Sequence, residues 1–504
     1  MKQFIAQNKL RMLFLFAFLI RLIHVNQSLW LDEATTAMTV KTFSLSQIIT
    51  QFSPSDFHPP LYYLVMKVWT SIFGYSEVAL RMPSVLFSLA AGWMVYSIIT
   101  NGTLRISKEE IREKRYEKIA FWAAAFFLCN PLIIYYSQEA RMYAMVTFTI
   151  AVSFYYLIKV QTANFRLQSM DFWLMNLFLI LSFYTFYASI FYIASVYLYL
   201  FWKDKNKGRT LISAAVFTIG MVFIAPLIVQ QFENSREALI SVSNWSLVLG
   251  KVTLKNLLLF PIKFTSGRIS FFPKSIYYLL AGGWMAVVGG LLCFSFWQAK
   301  VSTESNDSGP ARVTKIAVFF LITPLILGII FSLNTPLLQY FRFQYLIIFM
   351  SIMLGIAVCH SERSEESRKY RDLSIAGRPA SHLYRMTGYI LLFGFVAWSL
   401  SYLIFPQFHR EDWKSLANAL QKETTEVYMI PSSGDPIRYY APTIEIRDIR
   451  MSNIRASASD NLVVIPYTTD IYGVDYVAEL QSQEYQIHST FYVRGLSYER
   501  WKSY

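Results

Sequence analysis

The sequence has few charged residues for its length. Only 15% of its 504 residues are Asp, Glu, Lys or Arg, whereas 55% are hydrophobic and the mean hydropathy is +0.36. Soluble domains carry roughly 25% charged residues, so this composition excludes a soluble protein. The apolar residues fall in about ten segments, each close to the roughly 20 residues that a helix needs to cross a bilayer. We therefore predict an all-α polytopic membrane protein.

Cysteine, histidine and nucleotide-binding motifs are also scarce. The three cysteines, Cys129, Cys293 and Cys359, lie inside apolar segments, so the sequence implies no disulfide framework on either face of the membrane. The six histidines show no spacing typical of a metal site, so a metal is permitted but not implied. The sequence contains no Rossmann or Walker fingerprint. We expect no cofactor.

Positive charge is concentrated in a few segments. The formal net charge is +14, and six segments hold 24 of the 46 basic residues but only 11 of the 32 acidic ones. These segments are 1–11, 101–118, 159–166, 203–209, 300–315 and 360–386. Loops rich in Lys and Arg face the cytoplasm, so the pattern predicts the cytoplasmic side of the membrane and argues against a surface that binds nucleic acid.

The number of crossings follows from keeping all six basic segments on one side. The uncharged run 172–202 must then form a hairpin of two short spans that turns near Thr185 to Ser189. The run from Leu61 to Phe73 is too short to span and contains Lys67, so we expect a helix lying at the outer interface. The sequence predicts about 11 transmembrane helices, near 12–28, 81–100, 119–134, 142–158, 172–186, 188–202, 211–230, 276–297, 316–333, 343–359 and 387–405. Eleven crossings place the C-terminus on the outer side.

This topology leaves three long segments outside, at 29–80, 231–275 and 406–504. The last of them alternates the short apolar runs EVYMIP, NLVVIPY and YQIHSTFYV with the helical patterns DWKSLANALQ and DYVAELQ. The alternation predicts a small α/β domain. We therefore expect two domains, a transmembrane domain over 1–405 and an extracytoplasmic α/β domain over 406–504.

Carboxylates and a histidine are concentrated in the first outer loop, 29–80. Asp32 and Glu33 follow the first predicted span, and Asp56 and His58 precede the interfacial helix. Charged groups at a membrane boundary are costly to desolvate, which favours a function for them. The alternative is structural, with Asp32 capping a helix that begins at Glu33 and the two prolines after His58 fixing the start of the next helix. The local sequence supports both interpretations equally.

Further charged residues lie near the outer ends of later predicted spans. Glu139 and Arg141 precede one span in YYSQEARMYAM, and Arg342 precedes another in QYFRFQYL. Each has a simple structural explanation, an ion pair that neutralises charge for Glu139 and Arg141, and snorkelling to the interface for Arg342. By the charge argument, however, all of them lie on the same side as the first-loop carboxylates. Such a set of groups suits an anionic, membrane-anchored substrate.

Four motifs occur in the order found in a known family. They are WLDEA (30–34), DFHPPLYY (56–63), FGYSEVALRMPS (73–84) and YSQEARMY (136–143). On these motifs the chain resembles the bacterial dolichyl-phosphate-mannose protein mannosyltransferase-like proteins. These are GT-C-fold glycosyltransferases of the group that includes the lipid A aminoarabinose transferases. The likeness is strong over residues 20–160 and returns at QYFRFQYL and HREDWKSLANAL.

The resemblance implies transfer of a sugar from a polyprenyl-phosphate donor to an acceptor protein, lipid or glycan. The reaction would take place at the outer face of the cytoplasmic membrane, with loop 29–80 as the catalytic loop. The resemblance also implies that Asp32 is the catalytic base and that Glu33 positions Asp32 or the acceptor. The implied substrate-binding residues are Asp56, His58, Glu139, Arg141 and Arg342, with the two arginines as candidates for the donor phosphate.

The chain departs from the family at two positions. In the aminoarabinose transferases a Lys precedes the Pro of the second motif and meets the phosphate, whereas His58 stands here. Either His58 or an arginine must then bind the phosphate. Many relatives also carry a His in the hairpin where this chain has Phe186, so a polar role at that position is absent.

The implied chemistry matches the residues. A polyprenyl phosphate is already an activated leaving group whose charge arginine can stabilise, so the reaction needs no general acid and no nucleotide-binding metal site. What remains is deprotonation of the acceptor hydroxyl by one positioned carboxylate. The adjacent Asp32 and Glu33 are therefore not interpreted as the acid and base pair of a glycoside hydrolase.

Two other functions remain open. A transporter or flippase of lipid-linked sugars would be favoured by broken helices and charges at the membrane midplane. Arg21 and His24 intrude into the first predicted span, but both lie near its outer end rather than at mid-span. A non-catalytic membrane scaffold whose C-terminal domain binds partners is the second alternative. Activity that does not depend on Asp32 would favour either of them.

Overall fold

The computed structural model describes residues 2–101, 110–162, 169–204, 207–301, 309–369, 380–450 and 460–503. The chain forms two compact units. We call the first the helical unit; it comprises Met1–Ile23, Ser84–Ala225 and Val252–Phe405. We call the second the loop–tail unit; it comprises His24–Pro83, Pro226–Lys251 and Pro406–Tyr504. The first outer loop belongs to the same unit as the tail from Pro406 onward.

The helical unit consists of long helices, as its apolar runs predict. Its α-helices are Lys2–Leu22, Glu110–Leu128, Pro131–Ser137, Tyr143–Thr162, Met170–Thr185, Ile190–Lys203, Lys207–Val222, Leu254–Ser266, Lys274–Val301, Gly309–Ser332, Ile347–Lys369 and Ala380–Ile404. Short 3₁₀ helices occur at Tyr187–Ser189 and Tyr340–Leu346. The helix Glu77–Thr100 begins in the loop–tail unit and continues into the helical unit.

The described residues contain six helices that are long and apolar enough to cross a membrane, or up to eight if each bent helix pair counts as one span. The chain is therefore a multi-pass membrane protein, but the number of eleven is not confirmed. Part of the difference between eleven and this number comes from the predicted hairpin. Its two helices, Met170–Thr185 and Ile190–Lys203, are too short to be counted among the candidate spans. Their helical runs end at Thr185 and resume at Ile190, where the turn was expected. Ser107 and much of the basic segments 101–118 and 360–386 lie outside the described residues.

One predicted span is broken by a local sequence signal. The helix Glu110–Leu128 stops before Asn130, whose side-chain oxygen accepts the backbone N–H groups of Leu132 and Ile133 at 2.9 and 3.3 Å. Asn130 thus caps a new helix, Pro131–Ser137, which has proline at its first position. The two helices differ in direction by 58°. The Asn-Pro pair accounts for the break.

Two long helices of the helical unit pack closely together. Ile347–Lys369 packs along Glu110–Leu128. A Cβ added at Gly355 would lie 2.8 Å from the carbonyl oxygen of Ile119, so only glycine allows the two backbones to come this close.

The loop–tail unit begins with the helices of the first outer loop. The α-helices Leu31–Thr42, Leu45–Gln47 and Ser53–Ser55 and the π-helix Ile48–Phe52 precede Leu61–Phe73, which has the limits that the sequence predicted. Leu61–Phe73 buries Tyr62, Tyr63, Met66 and Thr70 and exposes Val68, Ile72 and Phe73. An amphipathic helix of this kind suits a membrane interface. The helices Ala225–Ser241 and Trp245–Leu249 complete this part of the unit.

The tail folds as the small α/β domain that the sequence predicted. Its strands lie in the order Ile446–Asp448, Glu426–Met429, Asn461–Val464, Leu496–Ser503, Tyr485–Val493; the first three are parallel and the last two antiparallel to their neighbours. Its helices are Trp413–Leu420, Asp435–Tyr440, Thr469–Tyr472 and Tyr476–Ser482, with 3₁₀ turns at Pro406–Phe408 and Pro431–Ser433. Successive residues of a strand face opposite sides of the sheet and pack into two apolar clusters, one that includes Trp413 and one that includes Trp501.

Candidate active site

Asp32 lies in the first turn of a helix and does not cap it. The helix Leu31–Thr42 begins one residue before Asp32, and the capping position is Trp30, which has extended backbone angles. The interpretation of Asp32 as the N-cap of a helix starting at Glu33 is therefore wrong, because the helix starts two residues earlier. The Asp32 side chain is half-buried. A carboxylate at this position is favoured by the helix dipole.

Glu33 forms a buried bidentate ion pair with Arg81. The Arg81 Nε and Nη2 atoms donate to the two carboxylate oxygens of Glu33 at 2.8 and 2.5 Å. Both side chains are 1% exposed. Paired, parallel hydrogen bonds of this kind are among the strongest between side chains. Glu33 is therefore held in one orientation and shielded from solvent.

Arg81 also binds the backbone that leads to Asp32. Its Nη1 donates to the carbonyl oxygens of Val25 and Gln27 at 2.8 and 2.6 Å, and its Nη2 donates to that of Ser28 at 3.0 Å. The five N–H groups of the guanidinium thus have five acceptors. Arg81 belongs to the third quoted motif, FGYSEVALRMPS, but no local pattern indicated a role for it. Its partners lie 48 to 56 residues away.

Asp56 and His58 form a second acidic and basic pair in the same unit. His58 Nδ1 lies 3.4 Å from Asp56 Oδ1, and both side chains are partly exposed. The loop around them is held by Ala225–Ser241, in which Gln231 donates to the carbonyl oxygens of Ser53 and His58 at 2.6 and 3.0 Å. Asn234 donates to the carbonyl oxygen of Pro54 at 2.6 Å. The sequence did not single out either amide.

Glu139 and Arg141 lie in the helical unit, in the turn before Tyr143–Thr162. Both residues are 3% exposed, so neither resembles a surface charge. The Glu139 carboxylate lies 3.8 Å from Arg268, and the Arg268 guanidinium donates to the Tyr135 hydroxyl at 3.0 Å. The Arg268 side chain is 31% exposed. Arg268 was not predicted as a site residue, because it lies outside the recognised motifs.

A buried lysine stands beside Arg268. Lys263, on Leu254–Ser266, donates to the carbonyl oxygen of Ile269 at 2.7 Å and to the Tyr277 hydroxyl at 2.8 Å. Burial, together with the nearby Arg268 and Lys274, lowers the pKa of Lys263 from 10.5 to about 7. The segment that carries Arg268 is therefore fixed by Lys263, and the region is rich in positive charge.

Arg342 lies in the 3₁₀ helix Tyr340–Leu346, before the helix Ile347–Lys369. It is half-buried, with its guanidinium carbon 5.9 Å from the centre of the Phe341 ring. Phe341 also packs against Tyr136 and Tyr143, and Phe186 packs against Tyr143. Phe186 is thus part of an aromatic cluster.

The predicted site residues divide between the two units. Asp32, Glu33, Asp56 and His58 belong to the loop–tail unit, where Leu31–Thr42 packs against Leu61–Phe73. Lys67 strengthens this packing by donating to the carbonyl oxygen of Val40 at 2.7 Å. The remaining predicted residues, Glu139, Arg141 and Arg342, belong to the helical unit together with Arg268.

The residues that the structure describes offer no candidate metal site. Within these ranges, no group of three or more His, Cys, Asp or Glu side chains could hold a metal ion.

Arg21, which lies inside the first predicted span, contacts neighbouring helices. Arg21 is fully buried and donates to Ala17 O, Leu128 O and Ser88 Oγ at 2.8, 2.9 and 3.1 Å. These contacts give Arg21 a structural role in joining helices.

Solved structures of similar fold cover almost the whole chain. ArnT from Cupriavidus metallidurans bound to undecaprenyl phosphate is 12% identical over 97% of each chain, with a TM-score of 0.54. Its apo state covers 98% of each chain at 12% identity, with a TM-score of 0.56. The Archaeoglobus fulgidus oligosaccharyltransferase, tethered to an acceptor peptide with the NVT sequon, is 9% identical over 98% of this chain and 74% of that chain, with a TM-score of 0.55. The GT-C fold expected from the motifs is confirmed.

Sequence comparison gives a more limited match. Residues 55–234 match the family model described as GPI transamidase subunit PIG-U. A search of curated proteins finds no significant match. The family model covers less than half of the chain, so this match alone does not assign the chain to that family. What the comparisons show is a membrane protein with the GT-C fold.

Proposed function

We propose that the chain is an integral membrane glycosyltransferase that uses a polyprenyl-phosphate-linked sugar, with Asp32 as the general base. The observation that carries the proposal is the different environment of two adjacent carboxylates. Glu33 is buried and bound by the Nε and Nη2 atoms of Arg81, whereas Asp32 is half-buried in the first turn of its helix. Glu33 is therefore a positioning residue for Asp32, and Asp32 is the carboxylate that reaches an acceptor hydroxyl.

One carboxylate is sufficient for this reaction. The acceptor oxygen must lose a proton as it attacks the anomeric carbon, and a positioned carboxylate accepts that proton. The bond from the anomeric carbon to the phosphate oxygen breaks, and the polyprenyl phosphate leaves with its charge. The lipid phosphate in one ArnT structure and the acceptor peptide on the oligosaccharyltransferase support donors and acceptors of these classes in general.

The donor phosphate is assigned to arginine. Arg141 and Arg342 are the candidates from the sequence, and Arg268 joins them because its side chain is 31% exposed beside Glu139 and Tyr135. A guanidinium can hold two phosphate oxygens at once, which a point charge cannot. Glu139 is assigned the positioning of Arg268. Asp56 and His58 are assigned contacts with the sugar or the phosphate.

The proposed location is the cytoplasmic membrane, with the loop–tail unit on the extracytoplasmic side. The positive-inside distribution of the basic segments supports this orientation. The exposed apolar residues Val68, Ile72 and Phe73 on Leu61–Phe73 support an interfacial position for that helix.

A donor panel tests the proposed activity. The full chain, reconstituted in membranes, is incubated with radiolabelled polyprenyl-phosphate sugars, and consumption of each donor is measured. Consumption of at least one donor, with release of polyprenyl phosphate, is expected. Failure to consume any donor in the presence of acceptor protein, lipid and glycan fractions would contradict the proposal.

A non-catalytic membrane subunit is the second candidate. The match of residues 55–234 to the PIG-U family model favours it, because that description names a subunit of a transamidase. A subunit of this kind would retain its function when Asp32 is replaced, provided that the fold persists. A glycosyltransferase would lose turnover.

A further inference from the structure

The tail domain touches the backbone segment that precedes Asp32. The Tyr440 hydroxyl accepts the backbone N–H of Leu29 at 2.8 Å, although the two residues are 411 positions apart. Leu29 is fully buried. A buried N–H without an acceptor is costly, so this contact contributes more than a hydrogen bond at the surface.

A second tail residue binds the same segment and its surroundings. The backbone N–H of Lys414 donates to Ser28 Oγ at 3.0 Å, and its ammonium group donates to Glu77 Oε1 at 2.9 Å. The Tyr440 hydroxyl also lies 3.3 Å from Glu77 Oε1 and donates to it. Lys414, Tyr440 and Glu77 thus form one connected network around residues 28 and 29.

The helix that carries Tyr440 packs against the helix that carries Asp32. Asp435–Tyr440 and Leu31–Thr42 are in direct contact. Beside Tyr440, the Tyr439 hydroxyl donates to the carbonyl oxygen of Tyr75 at 2.6 Å. The tail therefore holds the first outer loop at both of its ends, near Leu29 and near Tyr75.

The segment before Asp32 is consequently bound from two directions within the loop–tail unit. Arg81 binds the carbonyl oxygens of Val25, Gln27 and Ser28, which belong to the first outer loop itself. Tyr440 and Lys414 bind Leu29 N–H and Ser28 Oγ from the tail. The position of Asp32, three residues after Leu29, depends on both sets of contacts.

We propose that the C-terminal α/β domain serves to position the general base, with Tyr440 and Lys414 as positioning residues. The proposal rests on the assignment of Asp32 under the proposed function. It gives the tail a role in the transfer step that needs no ligand or partner of its own. Burial raises the pKa of the Tyr440 phenol, so its hydroxyl remains protonated and keeps its donor to Glu77 at physiological pH.

Tyr440→Phe tests the proposal because it removes only the hydroxyl. Leu29 N–H then loses its acceptor, and we expect faster hydrogen exchange over residues 25–33 of the full chain in membranes. Turnover should fall by roughly 3- to 10-fold, as expected from the loss of one buried hydrogen bond at a residue that sets geometry. The KM for the donor should stay unchanged, because the variant does not touch the phosphate ligands.

Tyr428→Phe is the matched control. The Tyr428 hydroxyl donates to Glu426 at 2.9 Å, and both residues lie in the tail sheet. This variant should leave exchange over residues 25–33 and turnover at their original values.

Hydrogen exchange and turnover together distinguish the positioning role of the tail from the general-base role of Asp32. Unchanged exchange over residues 25–33 in Tyr440→Phe would overturn the positioning proposal whatever the activity. Increased exchange together with unchanged turnover would also overturn it, provided that Asp32→Asn abolishes turnover. If Asp32→Asn retains full turnover, the general-base assignment fails, and the positioning proposal fails with it.

Discussion

Asp32 and Glu33 are neighbours in the chain, but their surroundings give them different chemistry. Glu33 is enclosed with Arg81, and removing either partner would leave a buried charge without compensation. Asp32 lies one residue earlier and remains half-buried. Both oxygens of the Glu33 carboxylate are held by Arg81 in a buried site, so Glu33 is not placed to contact an acceptor, whereas Asp32 lies outside this pair.

Arg81→Met should strongly destabilise the protein. The substitution leaves Glu33 charged in a buried site and removes the donors to Val25, Gln27 and Ser28, so we expect a loss of about 3–5 kcal/mol. Thermal unfolding of the detergent-solubilised chain measures this loss. Arg438→Met is the control, because the Arg438–Asp435 pair is partly exposed and worth about 1 kcal/mol or less. Equal melting temperatures for the two variants would contradict the structural role of Arg81.

Lys263 should make stability rise with pH above neutrality. Burial, with Arg268 and Lys274 nearby, lowers its pKa from 10.5 to about 7 in the folded chain. Between those values the unfolded chain binds a proton that the folded chain does not, so raising the pH favours folding. Below about pH 7 both states are protonated and this contribution no longer changes. Between pH 6.5 and 9, the melting temperature should therefore rise more steeply with pH in the wild type than in Lys263→Met. Parallel curves would show that Lys263 keeps its ordinary pKa.

Alanine substitution should identify the phosphate ligand. We expect Arg141→Ala, Arg342→Ala and Arg268→Ala to weaken donor binding, with only partial rescue by lysine because a point charge replaces a bidentate group. Donor affinity is measured by equilibrium binding, independently of turnover. If all three variants bind the donor normally, His58 becomes the leading candidate for the phosphate ligand.

Secondary structure was predictable where the signal is local. The limits of Leu61–Phe73 follow from two prolines before it and Gly74 after it, and the tail strands Glu426–Met429 and Asn461–Val464 follow from short apolar runs. The break at Asn130 was missed although Asn-Pro is a helix-start signal. The strand Leu496–Ser503 was missed because charged residues interrupt its apolar pattern.

The contacts that organise the site were not predictable in the same way. Arg81 meets Glu33 across 48 positions, and Tyr440 meets Leu29 across 411. Such contacts depend on how helices pack, which periodicity does not encode. The sequence could therefore nominate Asp32, whereas the contacts that fix its helix required the structure.

Membrane orientation can be tested on the whole molecule. In a background without native cysteines, Ser275→Cys should react with an impermeant reagent added from outside, and Ser107→Cys should be protected. The reason is the predicted cytoplasmic location of the basic segment 101–118. Accessibility is measured by labelling in intact cells. Labelling of Ser107→Cys together with protection of Ser275→Cys would invert the topology and place the proposed base on the cytoplasmic side.

The central claim is that Asp32 accepts the acceptor's proton, and Asp32→Asn tests it most directly. Asparagine keeps the size of the side chain but cannot act as the base. Asp171→Asn is a matched control, because Asp171 holds the same second position in its helix, Met170–Thr185. Transfer at saturating donor should fall by roughly 10²- to 10⁴-fold in Asp32→Asn, with folding and donor binding retained, and should be unchanged in Asp171→Asn. Near-normal transfer by Asp32→Asn would contradict the account.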